Sequence, residues 1–589
     1  MPMDGAMMHA LVGEMNASLT GGRADKIYQI NETDLLLKFR VQNRNRNLLV
    51  SAHASKGRLF LTDTPPAAPA NPPLLTMVLR KHLSGGKLTA IVQNRLDRTV
   101  HFQFEASDEI GDRTRRTLAV EIMGKHSNLI LIDTDTGLII DSLKKINHLV
   151  SRHREVLPGR PYILPPRQGQ ANLLTLNPET LPELLVDQEG DLASVLARSF
   201  EGVSRKTFEY LLPLKGLEDQ NVDEMGEWEY QLLGELLDDF SQNLKSGQHQ
   251  PTLEQTDQGT LDCFLFASPL IHNPLSFPAV NDMIDAMTGR QDTQDELGKT
   301  RNRLNRQVRG WVTKLEKKAA IHEKNLQKAE ETGIWQLRGE LLTAHLHLVD
   351  PGMNEITVPN YYDPDGGNIT ISLDPALSPS ANASRFFRKV GKVREAAKVS
   401  RKMLRTIRSD LDYLASVEDA ITRADTLADL QDITAELVKT GFLAKPREQK
   451  KAKPTAASAP LAFRSSGGFS IYVGKNNRQN DWLTMKQAGP DDLWFHVRQM
   501  PGAHVILKTG GRQPDERSLL EAASLAAWYS RGQNSTKVPV DYTARKHLRK
   551  PKGAKPGMVI YDTFQTLLTD PDPTLLNTLR VSETGSSES

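Results

Sequence analysis

At 589 residues the chain can form three or four domains, each large enough to bury its own core. A formal net charge of +2 excludes binding driven by a globally basic surface, so any anionic partner must be held by local patches. Cys263 is the single cysteine, which excludes an intramolecular disulfide and a cysteine zinc cluster. Asp4 and Glu14 interrupt the opening residues and no stretch approaches the roughly 20 apolar residues of a membrane span, so the expected location is the cytoplasm, with no membrane partner.

In chain order, Met7, Met8, Leu11, Val12, Met15 and Leu19 have helical spacing, and Gly21-Gly22 ends that helix. Short strands are expected from Lys26, at Leu35 to Phe39, Asn47 to Val50, Thr99 to Phe104 and Asn128 to Ile132, and a proline-rich exit follows Pro158. This gives a mixed α/β domain over 1–170. The region 171–290 reads as helical. There Leu192 to Phe200, the turn Gly202-Val203-Ser204 and Phe208 to Leu212 are compatible with a helix-hairpin-helix whose turn amides hold a phosphate, or with a plain helical connector.

Leu304, Val308, Trp311 and Leu315 repeat at spacings of 4, 3 and 4, the seam of a coiled coil, and a helical stripe continues to Leu348. Helix breakers crowd 350–380, and Leu404, Ile407, Leu411 and Leu414 form a second seam. The expectation for 291–443 is therefore a long antiparallel hairpin with a small middle knob. A Lys-, Ala- and Pro-rich linker over 444–462 and a tail over 573–589 are expected to be disordered. Between them, 463–572 reads as a compact α+β domain. The fold class is thus multidomain α+β, with globular ends joined by the hairpin.

The densest chemical signal is basic. Arg545, Lys546, Arg549, Lys550, Lys552 and Lys555 fall within eleven residues free of acids, held extended by Pro551 and Pro556, and suit a phosphate backbone. Lys475, Asn476 and Asn477 follow a strand and offer donors to bases or ribose hydroxyls. His496, between Phe495 and Val497 in an aromatic strand, reads as structural or RNA-stacking rather than as a metal ligand. Asp97-Arg98 precedes the strand from Thr99, where one side chain could accept from an amino group while the other grips a phosphate. An acidic turn is expected at Asp108 to Asp112. No Ser/His/Asp triad, zinc signature or phosphate-cradling glycine loop is present, so no catalytic residue, metal or cofactor is assigned.

Several long motifs together resemble the NFACT family, with its bacterial RqcH-type proteins and eukaryotic NEMF relatives. They are Met3-Asp4-Gly5, Gly21 to Gln29, Asn71-Pro72-Pro73, Glu121 to Asn128, Tyr472 to Asn477, Asp492 to His496, Pro501 to His504 and Val538 to Gly557. The chain departs from the family pattern at Met3, Met500 and Ala503. The resemblance implies an NFACT N-terminal domain like that of a DNA glycosylase, a coiled-coil hairpin and an RNA-binding C-terminal domain. It implies an adaptor rather than an enzyme, binding a stalled large ribosomal subunit that carries peptidyl-tRNA. The implied partners are alanyl-tRNA, recruited through Asp97 and Arg98, and a small RqcP-like protein; DNA is not among them. The outcome would be a template-free alanine tail, its bonds made by the ribosome. Two alternatives are a glycosylase-type enzyme using a Pro2 amine and a surface fibronectin-binding adhesin.

Overall fold

The computed structural model describes residues 3–69, 72–107, 111–166, 169–255, 261–445 and 458–580. Pro2, Asn71, the acidic residues at 108–110 and most of the expected linker lie outside the described residues. The chain divides into two compact units, Met1–Asp292 and Thr293–Ser589.

The first unit opens with α1 (Gly5–Leu19), whose apolar stripe is buried as its spacing requires. A nine-stranded sheet follows, in the order β4-β3-β2-β1-β5-β6-β7-β8-β9. Its strands are β1 (Arg23–Gln29), β2 (Asp34–Val41), β3 (Arg44–Ser51), β4 (Arg58–Leu61), β5 (Lys87–Gln93), β6 (Thr99–Ser107), β7 (Arg113–Glu121), β8 (Asn128–Asp133) and β9 (Ile139–Ser142), with α2 (Leu74–Leu83) between β4 and β5. β1 and β5 are in register at Arg23 and Lys87, and backbone hydrogen bonds linking Gly21, Gly22 and Ala24 to Gly85, Gly86 and Leu88 join the two antiparallel halves of the sheet there. The Asn16 side chain ties α1 to that joint, donating to the Ile91 carbonyl at 2.7 Å and accepting the Ile91 N–H at 3.0 Å.

Then come α3 (Leu181–Leu185), α4 (Leu192–Ser199), α5 (Arg205–Leu211), α6 (Glu227–Ser246) and a small sheet of β10 (Thr252–Gln255), β11 (Leu261–Phe264) and β12 (Pro274–Ser276). Cys263 is buried, and burial pushes its thiol pKa up. The long helix α7 (Val280–Glu330) spans 51 residues. Its first amides are capped from α1: Glu14 accepts Val280 N–H at 2.8 Å and Asn281 N–H at 2.9 Å, a carboxylate on the positive end of the helix.

In the second unit α7 continues, with a break at Glu331, into α8 (Thr332–Ala344). The strand pair β13 (Glu355–Pro359) and β14 (Asn368–Ser372) forms the knob, and α9 (Pro379–Arg423) returns over 45 residues. Leu304, Val308 and Leu315 pack with Ile407, Leu414 and Val417. Arg309 meets Glu418 at 3.3 Å and His322 meets Ser400 at 3.1 Å, so position rises on one helix as it falls on the other. The two seams are therefore an antiparallel pair. The second arm does not run unbroken to Leu443: it stops at Arg423, and Thr426 with Asp429 caps a separate helix, α10 (Leu427–Lys439).

The last region contains β15 (Leu461–Arg464), β16 (Ser470–Val473), α11 (Asn477–Trp482), β17 (Leu493–Val497), β18 (Val505–Lys508), α12 (Glu516–Trp528), β19 (Val538–Ala544), β20 (Leu548–Arg549), β21 (Ile560–Tyr561) and β22 (Gln565–Thr569), with α13 (Thr574–Thr578) at the end. Six strands form an antiparallel sheet in the order β15-β16-β18-β17-β19-β22. Alternation along β17 sends Phe495 and Val497 into the core against α12, and Trp494 to the opposite face with Leu483, Ile506 and Leu548. Two expectations are corrected here. β15 starts inside the expected linker. The chain past 572 also stays ordered through Arg580, because Leu579 is buried and its carbonyl accepts Arg464 N–H at 2.8 Å.

Candidate nucleic-acid interface

In the first unit, Asp97 and Arg98 sit half-buried in a tight turn just before β6. Asp97 N–H donates to the Asn94 carbonyl at 3.2 Å, and Arg95 takes the left-handed conformation, φ 53°. The turn is wedged between two glycines. A Cβ on Gly5 would lie 1.7 Å from the Leu96 carbonyl oxygen, and one on Gly202 would lie 1.8 Å from the same atom. Gln93 closes the joint, its amide donating to the Gly5 carbonyl at 2.9 Å and the Asp97 carbonyl at 2.7 Å.

The same junction explains Asp4. One carboxylate oxygen accepts Met7 N–H at 2.9 Å and caps α1. The other accepts Ser204 N–H at 3.0 Å and the Thr207 hydroxyl at 2.7 Å. The segment between α4 and α5 is a helix–turn–helix, one of its two open readings, but an internal carboxylate takes the place that reading gave to a phosphate. The anion site is occupied from within.

Beneath the turn lies a buried polar network that sequence reading missed. Glu121 has 0% exposure; Arg154 donates to both of its oxygens, at 2.7 Å for the longer contact, and the Tyr162 hydroxyl donates to it at 3.0 Å. His101 Nε2 stands 3.4 Å from the Tyr162 oxygen. Burial lowers the His101 pKa, against the pull of Glu121 and Asp97, and burial with the Glu121 carboxylate raises that of Tyr162. Glu121 and Arg154 are 33 residues apart in the chain, so no local spacing marks the pair.

In the second unit the expected row of open cations is largely engaged. Arg545 donates to the carbonyls of Thr484 and Met485 at 3.1 and 3.3 Å, closing the turn after α11. Lys546 pairs with Asp491 at 2.9 Å, both well exposed, a contact of little energetic weight. Lys550 pairs with Asp481, whose other oxygen accepts Gly557 N–H at 3.0 Å. Lys555 reaches Asp410 on α9 at 3.2 Å and lies 4.7 Å from the Phe442 ring centroid. Arg549 and Lys552 remain exposed, with no ion pair among the described residues.

Lys475, Asn476 and Asn477 likewise face inward. Lys475 lies 3.4 Å from Asp429 of the α10 cap. Asn476 is 3% exposed and caps α11. Asn477 donates to Glu436 at 3.1 Å and to Ser416 at 3.0 Å. Lys475 and Asn477 bind the C-terminal domain to the base of the hairpin, so their donors serve the fold rather than open solvent, while Asn476 is used through its oxygen and its buried Nδ2 has no partner. Glu436 is itself buried, holds the Tyr413 hydroxyl at 2.8 Å, and has its pKa raised by burial.

His496 stacks on Trp494 with ring centroids 5.5 Å apart and planes at 11°. Both line a cleft of about 870 Å³ between α9 and the C-terminal sheet, walled on one side by the 551–561 segment. Sequence reading missed the cleft because its walls, Tyr413 and Trp494, are distant in the chain.

Residues 4–456 match the family of NFACT N-terminal and middle domains, and residues 460–562 match the NFACT protein RNA-binding domain. The chain belongs to the NFACT family. It is 34% identical to the Rqc2 homolog RqcH of Bacillus subtilis, over 97% of this chain and 98% of that protein. It is also 34% identical to the Rqc2 homolog RqcH of Streptococcus suis, over 99% of this chain and 100% of that protein. A solved structure of the N-terminal part of the fibronectin/fibrinogen-binding protein from Streptococcus suis is 33% identical, covers 49% of this chain and 99% of its own, and superposes with a TM-score of 0.41. This NFACT chain is thus homologous to ribosome quality control factors and carries an RNA-binding domain. Among the described residues no helix is long and apolar enough to cross a membrane.

Proposed function

We propose that this protein is an adaptor that binds a stalled large ribosomal subunit carrying peptidyl-tRNA and brings alanyl-tRNA to it. The nascent chain then receives a template-free alanine tail that marks it for degradation. In this reading the protein works in the cytoplasm, a small RqcP-like protein assists, and the ribosome makes each peptide bond. The observation that carries the proposal is the turn at Asp97-Arg98: an adjacent acid and base, both half-buried, on a backbone locked by Gly5, Gly202 and Gln93. Rigid presentation lowers the ordering cost of a charge-assisted contact. The near full-length match to RqcH proteins supports the ribosomal setting.

The test is sedimentation of the tagged protein with large subunits, followed by sequencing of the associated tRNA. Enrichment of alanine tRNA is expected. Asp97→Ala with Arg98→Ala should abolish tailing while subunit binding largely persists; unchanged tailing removes the role given to the pair.

A further inference from the structure

Charge reverses abruptly along the returning arm of the hairpin. Arg385 to Arg408 holds ten cations and one acid, whereas Asp410 to Glu436 holds eight acids and one cation, so the acids are confined to the base. That base is what the C-terminal domain covers. Lys475 meets Asp429 at 3.4 Å, Arg478 meets Asp432 at 3.4 Å, Arg531 meets Glu418 at 3.1 Å and Lys555 meets Asp410 at 3.2 Å. In each pair the cation belongs to the C-terminal domain and the acid to the hairpin, and among the described residues no ion pair between the two has the opposite polarity. A chain with 74 basic and 72 acidic residues would give mixed polarity by chance.

The pairs are also weak. Arg478 and Arg531 keep 50% and 44% of their side chains exposed, and water screens ion pairs of this kind. Beside them the cleft of about 870 Å³ leaves part of the contact unpacked. The buried centre is imperfect as well, since Glu436 Oε2 has no hydrogen-bond partner. Lys552 stands exposed at the cleft with no ion pair among the described residues, an open cation next to the covered ones.

We infer that Lys475, Arg478, Arg531 and Lys555 form a phosphate-binding face which the acidic hairpin base covers as an intramolecular stand-in, and that an RNA backbone displaces the base. Carboxylate and phosphate oxygens offer these cations the same charge-assisted acceptors, so the exchange replaces each lost pair with an equivalent one. A backbone that first meets Lys552 can take the screened pairs one at a time. Until then the covered cations release few counterions on contact with RNA, and stray RNA is held weakly. The inference rests on the adaptor reading in taking RNA as the ligand, and it adds a closed state that the ligand opens.

The experiment uses the full chain, an oligoadenylate and a carbodiimide, which joins a paired amine and carboxylate without a spacer. Peptide mapping should find Lys555 joined to Asp410 in the protein alone. Saturating oligoadenylate should remove most of that product and leave the Lys206–Asp262 product of the first unit unchanged. Asp410→Asn, Glu418→Gln and Asp432→Asn together should tighten oligoadenylate binding roughly tenfold, the scale of three screened pairs. Asp412→Asn removes an exposed acid that pairs with none of these cations and should change binding less than about twofold. A Lys555–Asp410 product that survives with oligoadenylate bound overturns the inference, as does a triple variant that gains no more than Asp412→Asn. A chain that binds no oligoadenylate overturns it outright. Loss of the product on oligoadenylate in a protein that never sediments with large subunits upholds the displacement and removes the adaptor reading alone.

Discussion

Gly202→Ala tests the junction under Asp97 most directly. The new methyl carbon would stand 1.8 Å from the Leu96 oxygen and 2.7 Å from its carbonyl carbon, and both are backbone atoms that no rotamer change can move aside. The residue also sits at φ +76°, which adds roughly 1 kcal/mol for any L side chain. Overpacking of this kind costs about 1–3 kcal/mol. The sum, about 2–4 kcal/mol, corresponds to a fall of roughly 3–7 °C in the melting temperature of the first unit, Met1–Asp292. Scanning calorimetry of the full chain measures it, following the transition of the first unit. Gly13→Ala is the control: a Cβ there meets nothing within 4 Å on an exposed helix position, so it should be neutral or stabilising by up to about 1 kcal/mol. A melting shift under about 2 °C for Gly202→Ala would refute the wedge. If the adaptor proposal holds, the surviving folded fraction should also lose alanine tRNA, since Leu96 would push Asp97 from its place.

Three further outcomes are expected. Asp4→Ala removes the α1 cap and leaves Ser204 N–H and the Thr207 hydroxyl without their acceptor, so the first unit should lose about 2–4 kcal/mol in urea unfolding; a loss below about 1 kcal/mol would contradict the shared-carboxylate geometry. Because the folded pKa of Glu436 is raised, its contribution to stability is present below its unfolded value and lost as pH rises through the folded value. Glu436→Gln, which keeps an oxygen for Tyr413 and Asn477, should therefore melt above the parent at pH 7.5 and together with it near pH 4; a lower melting point at pH 7.5 argues against the assignment. The folded pKa of His496 is lowered to about 4, so it contributes stability above its ordinary 6.5 that is lost as pH falls toward 4. At about 1.4 kcal/mol per pH unit that loss reaches about 3 kcal/mol, and a His496→Gln variant should show a flatter acid limb in a pH series of melts.

Much of the fold was legible in local pattern. The α1 stripe, the two coiled-coil seams and the alternation of β17 each follow from side-chain periodicity, because burial of one face sets which residues can be apolar. The motif Met3-Asp4-Gly5 was legible as a motif but not as a device: its partners, Leu96, Gly202 and Ser204, come from remote parts of the first unit. Charge was the least transferable signal. Six cations within eleven residues read as an open phosphate ladder, yet Arg545, Lys546, Lys550 and Lys555 found partners within the unit. Composition records that a charge exists, not which acid the fold brings beside it.

By itself, then, the sequence determined most of the kinds of elements, the hairpin and the family to which the chain belongs, since periodicity and motif order are local or linear properties; the β10–β12 sheet fell in a region read as helical. The tertiary structure decided the rest. It showed that the helix-hairpin turn holds Asp4 instead of a phosphate, that Lys475 and Asn477 clasp the hairpin base, and that Trp494 and His496 floor a cleft facing α9. Each of these depends on which distant backbone approaches within hydrogen-bond range, a consequence of packing that no spacing along the chain encodes.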